Sequence, residues 1–389
     1  MPAELLVTGC YRSGTTLLEK LLHAHPVSCV ASQPFPVLYA YVKGLFDESR
    51  GLLRRYPLSH RFLEGGYSDA DFATFLDGRQ LTDADLDAVF EQLARYTEGL
   101  WTPEILGARA TIRPGVFLDV YRQLMQAVLG LFPKARVRVI GSKEILVEEY
   151  VSYLLGKGIH VIIVLRDPRD MIASLNFSER DNATGRDRPV LYSMRIWRKS
   201  VATSLAFEGH PRFRWLRYED LVAHPLPVMT ELGGFLQLPA FPQDALAGPL
   251  RDQRGRDWEG NSSFRDQTGV SRESVGRFRE ILPQPVQSMI ETVAAPEMML
   301  LAYAASQPVT TALTHYRDPF ARVHARFPAD YSADAGRVRD ELERLERLTS
   351  RSVLSDDEAR RWFVYPEAYR RLREAVRPHS TPAGSLRRE

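Results

Sequence analysis

The sequence of 389 residues predicts an α/β protein in three layers, with a mostly parallel central sheet between helices on both faces. Two observations carry this prediction. Apolar runs with the length of a buried strand occur at residues 5–7 and 159–165, and each leads directly into a helical pattern. The second run is continuous rather than alternating, which is typical of a parallel strand that is covered on both faces.

The first apolar run ends in a turn that contains Gly9 and Gly14. Four leucines between positions 17 and 22 then fall at helical spacing, so a helix begins around Gly14. Strand, glycine loop and helix N-terminus together form an anion cradle, because the loop N–H groups and the helix dipole point at one spot. The glycine spacing resembles a Walker A loop, but Thr15 stands where that motif has its lysine, and Arg12 is the nearest cation.

The second apolar run leads into a segment with the same arrangement. Arg166 follows the strand, and Pro168 suits the first turn of a helix. Ser174 then lies about two turns into that helix. An arginine at a strand end and a serine on the following helix are placed to hold a second phosphate.

With both motifs in this order, the chain resembles the bacterial-type soluble members of the PAPS-dependent sulfotransferases (PAPS is 3′-phosphoadenosine 5′-phosphosulfate). In that family a loop of the type Arg/Lys-Ser-Gly-Thr-Thr holds the 5′-phosphosulfate, and an arginine and a serine eight positions apart hold the 3′-phosphate. The loop residues matching the first motif are Arg12, Ser13, Gly14, Thr15 and Thr16. Arg166 and Ser174 match the second, and the resemblance covers roughly residues 4–300.

Three further segments resemble the family. Lys143, after a short strand predicted at 137–141, matches a lysine that faces the sulfonate. Tyr218 lies in an Arg-Tyr-Glu-Asp-Leu segment, whose tyrosine lies close to the cofactor. A loop rich in glycine and serine resembles the segment that closes over the nucleotide, and there Ser271, Arg272 or Arg277 would add binding groups on the 3′-phosphate side.

The resemblance implies transfer of a sulfonate group from PAPS to a hydroxyl acceptor, either a small molecule or a carbohydrate, with adenosine 3′,5′-bisphosphate as the product. Arg12 and Lys143 would stabilise charge on the sulfonate and on the leaving phosphate. Positioning and charge stabilisation would dominate catalysis, as in phosphoryl transfer. We expect no metal, because the transferred group carries a single charge and no carboxylate motif demands one.

The general base is the least determined part of this site. Relatives often have an acidic residue after the second strand, where this chain has Gln33, which does not act as a base. Glu144 is one candidate, His60 or Glu64 a second, and direct attack without a protein base the third. Adjacent residues leaving a strand point in opposite directions, so a sulfonate-facing Lys143 leaves Glu144 facing away.

The chain is predicted to divide into a sulfotransferase domain (1–300) and a C-terminal helical extension (301–389). Residues 47–115 form a helical insert that caps the cleft and shapes the choice of acceptor. The extension would pack on the core or form a homodimer with a second copy. Amphipathic spacing predicts helices at 69–77, 82–96, 116–131, 189–207, 334–348 and, as one continuous helix, 356–376.

Charge and composition exclude several function classes. The formal net charge is +2, which gives no case for binding nucleic acid or membranes through bulk charge. Two cysteines do not make a disulfide framework, and no Cys/His cluster has the spacing of a metal site. Without a recognisable leader or a membrane span, we expect a cytoplasmic protein.

Two other functions are compatible with a glycine loop. The first is a kinase acting on a nucleoside or another small molecule, with Asp167 or Asp170 holding Mg²⁺. The second is a non-catalytic protein that binds a nucleotide. Binding of adenosine 3′,5′-bisphosphate without metal separates the sulfotransferase from the kinase, and turnover separates it from the binding protein.

Overall fold

The computed structural model describes residues 2–52, 67–96, 102–132, 134, 136–177, 188–242, 246, 248–252, 255–258, 269–305 and 335–376, with backbone only for 335–338. His60 and Glu64, two of the candidate bases, lie outside the described residues.

A single parallel sheet organises the described part of the chain. Its five strands are β1 (Ala3–Thr8), β2 (Ser28–Ser32), β3 (Val139–Lys143), β4 (His160–Leu165) and β5 (Phe213–Arg217). They lie in the order β2-β3-β1-β4-β5, and every neighbouring pair is parallel.

Helices occupy most of the rest of the described chain. In chain order they are α1 (Thr15–Ala24), α2 (Pro36–Ser49), α3 (Asp69–Gly78), α4 (Asp83–Ala94), α5 (Phe117–Leu131), α6 (Val151–Gly156), α7 (Pro168–Asn176), α8 (Val190–Phe207), α9 (Tyr218–Ala223), α10 (Pro225–Phe235), α11 (Phe278–Ile281), α12 (Gln284–Val293), α13 (Ala295–Leu300), α14 (Ala335–Thr349), α15 (Asp356–Phe363) and α16 (Pro366–Val376). Short 3₁₀ helices span Pro103–Thr111 and Glu148–Tyr150. No helix of the described ranges is long and apolar enough to cross a membrane.

Alternation along β1 shows why there are three layers. Leu5 and Val7 pack with the apolar residues of α1, α9 and α10 on one face of the sheet. Leu6, between them, packs with α2, α5 and α8 on the other face. Since successive side chains of a strand point to opposite faces, a strand that is apolar at every position needs helices on both sides. The predicted three-layer α/β fold is confirmed.

Strand β3 differs from its predicted bounds. The prediction ended the strand at Gly141, whereas the strand continues through Lys143. Its last residues pair with β1 on one side and β2 on the other, with Lys143 beside Val7 and Ser32. Flanking strands on both sides therefore extend the ladder into the polar Ser142 and Lys143, which apolar periodicity alone does not include.

The predicted single helix at 356–376 is wrong. Two helices, α15 and α16, are separated at Val364, whose φ is +70°. Pro366 begins α16 and has no N–H to continue a preceding helix, and a residue before proline is pushed out of the helical region. The sequence prediction followed the apolar spacing and passed over this proline.

The C-terminal helices pack on the core of the same chain. Tyr365 contacts Phe207 at the end of α8, with their ring centroids 5.5 Å apart. Glu341 of α14 is buried between two arginines of α8, and one of its oxygens accepts from Arg195 Nε at 2.7 Å while the other lies 2.5 Å from Arg198. Burial alone would raise the pKa of Glu341, but the two arginines hold it well below its usual value.

We expect Glu341→Gln to lower the free energy of unfolding by about 3–5 kcal/mol, because it removes a carboxylate that two buried arginines share. Glu343→Gln is the matched control. It breaks a half-exposed pair with Arg347 on the same helix and should cost less than about 1 kcal/mol. Urea unfolding at neutral pH measures both losses, and equal losses would contradict the structural role of Glu341.

The same contact predicts a pH dependence. The pKa of Glu341 is depressed in the folded state, so its stabilisation is complete above about pH 4.3, the ordinary value for glutamate. It is lost as the pH falls from there towards the folded pKa. The difference in unfolding free energy between wild type and Glu341→Gln should therefore shrink in acid.

Candidate active site

The loop from Gly9 to Gly14 connects β1 to α1 and has backbone conformations that favour glycine. Gly9 has φ +146°, and a Cβ there would lie 2.6 Å from the carbonyl oxygen of Val164. Gly14 has φ +96°, and a Cβ there would lie 2.3 Å from the ring of Tyr218. Arg12 is left-handed as well, with φ +63°. The two glycines therefore let the loop pass close to β4 and to the start of α9.

The N-terminus of α1 has no side-chain cap. Gly14 occupies the N-cap position and has no side-chain oxygen to accept a hydrogen bond from the N–H groups of the first turn. Thr15 is buried and Thr16 is half-buried at the first two positions of the helix. The N–H groups of a helix start are unsatisfied within the helix, so this end is arranged to bind an anion. Ser13 faces inward, where its Oγ donates to the carbonyl of Cys10 at 2.6 Å.

The two motifs predicted to bind phosphate meet in the structure. Arg12 Nε donates to Ser174 Oγ at 3.0 Å, and an Arg166 nitrogen donates to the Arg12 carbonyl at 2.9 Å. These residues are more than 150 positions apart in the sequence. Direct pairing of β1 with β4 brings them together, because the carboxyl ends of parallel neighbours lie at one edge of the sheet.

Arg166 is buried and held on several sides. Its guanidinium lies over the ring of Tyr218, 4.7 Å from the centroid, and donates to the carbonyl of Ser274 at 2.7 Å. Trp197 of α8 donates to the Arg166 carbonyl at 2.8 Å. The Nε of Arg166 has no hydrogen-bond partner among the residues that the structure describes. A buried cationic donor without a partner is costly, and an anion in the neighbouring cleft would satisfy it.

A cleft opens between the two motifs. Its lining consists of Arg12, Gly14, Leu17, Arg166, Ser174, Tyr218, Trp258, Gly269, Ser271 and Ser274. Six of the predicted nucleotide-binding residues are among them. Ser13, Thr15, Thr16 and Arg277 are not, although the first three belong to the loop and helix end beside the cleft.

Ser274 is the lining residue that sequence reasoning missed most clearly. It is buried, and its Oγ lies 2.6 Å from the hydroxyl of Tyr218. The sequence analysis identified the loop that carries Ser274 but named other residues of that loop as the binding groups. Arg272 instead donates to the carbonyls of Val222 and Ala223 at the end of α9. Arg277 caps the start of α11, outside the lining of the cleft.

The segment that carries Ser274 is attached to α7 through Asp170. One carboxylate oxygen accepts from the N–H of Gly276 at 2.6 Å and the other from the N–H of Phe278 at 2.9 Å. Asp167 is likewise engaged, with both of its oxygens bonded to Arg169. The two acids that a kinase would need for Mg²⁺ therefore have structural partners. Within the described ranges, no group of three or more His, Cys, Asp or Glu side chains is placed to hold a metal ion.

Lys143 and Glu144 end up on opposite faces of the sheet. Lys143 lies beside Val7 and donates from Nζ to Gln33 Oε1 at 3.0 Å. Glu144 Oε1 accepts from the N–H of Phe35 at 3.0 Å, on the α2 side. Both side chains are buried, which lowers the pKa of Lys143 and raises the pKa of Glu144. Neither lines the cleft described above.

Comparison with known proteins identifies the family of this chain. Residues 2–247 match the family described as "Sulfotransferase domain". The chain belongs to the sulfotransferase family. No curated protein sequence gives a significant match to the chain.

Three solved structures show distant similarity to this chain. The sulfotransferase domain of the Synechococcus PCC 7002 olefin synthase is 19% identical, with 73% of this chain and 90% of that domain covered and a TM-score of 0.43. The sulfotransferase domain of the curacin biosynthetic pathway is 18% identical, with 78% and 99% covered and a TM-score of 0.45. Retinol dehydratase, in complex with androsterone and the inactive cofactor PAP, is 14% identical, with 76% and 80% covered and a TM-score of 0.35.

Membership in the family confirms the predicted function, enzyme class and co-substrate. This sulfotransferase transfers a sulfonate group from PAPS to a hydroxyl-bearing acceptor. The kinase and the non-catalytic binding protein are set aside. Which of its residues perform the transfer is a separate question, on which the geometry above bears.

We expect Gly14→Ala to weaken binding of adenosine 3′,5′-bisphosphate more than tenfold and to cost about 1–3 kcal/mol of stability, because the new Cβ meets the Tyr218 ring at a left-handed φ. Gly156→Ala is the matched control, since a Cβ at this helical glycine meets nothing within 4 Å and should be neutral or slightly stabilising. Titration calorimetry measures the affinity. Wild-type affinity in Gly14→Ala would show that the close approach of Tyr218 is unimportant for the ligand.

Proposed function

We propose that PAPS binds across the cleft, with its 5′-phosphosulfate on the loop Gly9–Gly14 and its 3′-phosphate beside Arg166 and Ser174. The single observation that carries this assignment is the buried Nε of Arg166, which lacks a partner among the described residues and lies in a cleft wall with Ser174. A phosphate is an anion that matches this guanidinium and the neighbouring hydroxyl.

Arg12 connects the two ends of this site. Its Nε donates to Ser174 and its carbonyl accepts from Arg166, while its side chain belongs to the loop before α1. We assign to Arg12 stabilisation of charge on the phosphosulfate. Thr15, Thr16 and the backbone N–H groups at the uncapped start of α1 would hold the 5′-phosphate, whereas the N–H of Ser13 donates to the Cys10 carbonyl at 3.3 Å.

Tyr218 and the segment 269–278 would enclose the nucleotide. Tyr218 packs between Gly14 and Arg166, so it joins the loop to the 3′ end of the site. Ser271 lines the cleft and is proposed to contact the 3′ side. Arg277, also predicted there from the sequence, lies at the start of α11 outside the cleft lining, so Ser274 is the better supported neighbour of Arg166.

Lys143 would stabilise charge on the transferred sulfonate. Its strand ends beside the end of β1, from which the loop starts, so the ammonium lies at the correct edge of the sheet. Glu144 stays the predicted base among the described residues. Its carboxylate would have to leave the N–H of Phe35 to reach the acceptor, since it now lies on the opposite face from Lys143.

Four finer points stay predictions. The acceptor would be a small molecule or a glycan chosen by the insert at 47–115. The domain division at residue 300, a homodimer through the C-terminal helices and a cytoplasmic location also stay expectations from the sequence. The observed packing of α14, and of Tyr365 just before α16, against the same chain supports treating the extension as part of one folded unit.

Adenosine 3′,5′-bisphosphate should raise the melting temperature without added metal, because a ligand of the native state stabilises it by about 2.7 kcal/mol at 100 times its Kd. Differential scanning fluorimetry with and without EDTA measures this. ATP with Mg²⁺ serves as the comparison. Stabilisation by ATP–Mg²⁺ and none by the bisphosphate would refute the proposed nucleotide site.

Arg166→Ala should weaken binding of adenosine 3′,5′-bisphosphate by about 2–4 kcal/mol, as expected for a lost charge-assisted pair. Adenosine 5′-phosphosulfate, which lacks the 3′-phosphate, should lose much less affinity, since for this ligand only the support that Arg166 gives to the Arg12 loop is removed. Arg272→Ala is the matched control, since that arginine contacts α9 and not the cleft. Equal losses for both nucleotides in Arg166→Ala would show that Arg166 does not recognise the 3′-phosphate.

A further inference from the structure

We propose that Gln33 is a positioning residue for Lys143, which it holds through a neutral hydrogen bond and connects to the insert through Tyr96. The proposal rests on the function proposed above for Lys143, namely stabilisation of charge on the sulfonate. It gives a role to the residue that stands where relatives often have an acid.

A chain of side-chain contacts leads from the insert to the ammonium. Lys143 Nζ donates to Gln33 Oε1 at 3.0 Å, and Gln33 Nε2 donates to the hydroxyl of Tyr96 at 3.2 Å. The orientation of the amide follows from chemistry, because an ammonium only donates and must therefore face the amide oxygen. The amide nitrogen is then left for Tyr96.

The backbone of Gln33 is held in an unfavourable conformation at this point. Its φ is +43°, in the left-handed region, and its side chain is buried. Its N–H donates to the carbonyl of Lys143 at 2.7 Å, so backbone and side chain both bind the same lysine. A left-handed conformation is unfavourable for a non-glycine residue and persists where its surroundings require it. Here the surroundings that require it are Lys143 on one side and Tyr96 on the other.

The insert is attached to the end of β2 at two consecutive residues. Tyr96, just beyond α4, accepts from Gln33, and Thr102 Oγ1 donates to the carbonyl of Ser32 at 2.8 Å. The segment that is proposed to cap the cleft is thus tied directly to the residue that holds Lys143. A displacement of the insert would therefore shift the Lys143 ammonium through two hydrogen bonds, from Tyr96 to Gln33 and from Gln33 to Lys143.

The neutrality of Gln33 matters because Lys143 is buried. A carboxylate at 3.0 Å would neutralise the ammonium in a medium of low polarity, whereas an amide takes one N–H and leaves the charge and two donors available. The charged groups that act on Lys143 are Glu19 and Lys20 of α1 and Glu144 at the end of β3. Glu19 is itself paired with Lys20, at 3.1 Å.

The first test replaces Gln33 by leucine, which keeps the approximate volume and removes both side-chain hydrogen bonds. The pKa of Lys143, followed by the Nζ chemical shift in protein labelled with ¹⁵N-lysine, should fall by about 0.5–1, since a bond to the charged form is lost. Release of adenosine 3′,5′-bisphosphate from PAPS, with water as the acceptor, should slow about 10–100-fold, while affinity for the bisphosphate stays within about twofold. An unchanged pKa of Lys143 would overturn the proposal.

The second test removes a single hydroxyl. Tyr96→Phe should lower the pKa of Lys143 in the same direction but by less, because Gln33 keeps its bond to the ammonium. Tyr153→Phe is the matched control, as that hydroxyl binds Asp77 of α3 at 2.7 Å and does not touch Gln33. If Tyr96→Phe and Tyr153→Phe both leave the pKa of Lys143 unchanged, or shift it by the same amount, the connection through Tyr96 is refuted. This pair also keeps the proposal testable should the leucine variant fold poorly.

The third test introduces the acid. Gln33→Glu should raise the pKa of Lys143 and slow turnover of PAPS, since the ammonium charge is then neutralised. Faster turnover together with a new acidic limb in the pH profile would overturn the positioning role, because it would assign proton removal to this position. Lys143→Ala separates the two levels of inference. Normal turnover of PAPS in Lys143→Ala refutes the function proposed for Lys143. Slow turnover in Lys143→Ala together with a wild-type turnover rate in Gln33→Leu refutes only the role of Gln33.

Discussion

The guanidinium of Arg166 is the contact on which the rest of the site depends. It donates to the carbonyl of Arg12 in the first loop and to the carbonyl of Ser274 in the segment that encloses the cleft, and it lies over the ring of Tyr218. Three segments far apart in the sequence therefore meet at one buried side chain. Two of its nitrogens organise these segments, its buried Nε has no hydrogen-bond partner among the described residues, and the residue lines the cleft, so Arg166 both builds the site and places a positive charge in its wall.

The position of Arg166 is in turn fixed by the layer of helices behind it. Trp197 of α8 donates to its carbonyl, and α8 is held from the far side by Glu341 of the C-terminal extension. A buried carboxylate between two arginines is costly to form and costly to break, which makes it a rigid attachment. The extension, which lies beyond the matched family region, thus contributes to the support of the proposed nucleotide site although it does not line the cleft.

Three other buried ionisable groups in and around the site have neutral or backbone hydrogen-bond partners. Asp170 is satisfied by two backbone N–H groups, Glu144 by one, and Lys143 by the amide of Gln33. None of these contacts is an ion pair, so the effect of burial, which disfavours the charged form of each group, is not cancelled by them. This explains why the pKa values of Lys143, the last residue of β3, and Glu144, the residue after it, move in opposite directions.

The sequence by itself determined the three-layer fold, the loop before α1, and the placement of Arg166 after a strand with Ser174 on the following helix, because apolar periodicity, glycine spacing and strand-to-helix order are local signals. It failed where a local signal was weak or had a competitor: the last two residues of β3, which neighbouring strands recruit, and the break before Pro366. Only the tertiary structure decided that Ser274 rather than Arg272 meets Arg166, that Asp170 anchors the enclosing segment, and that Gln33 binds Lys143. Each of those contacts joins residues more than 100 positions apart in the sequence, so no periodicity within one segment encodes it.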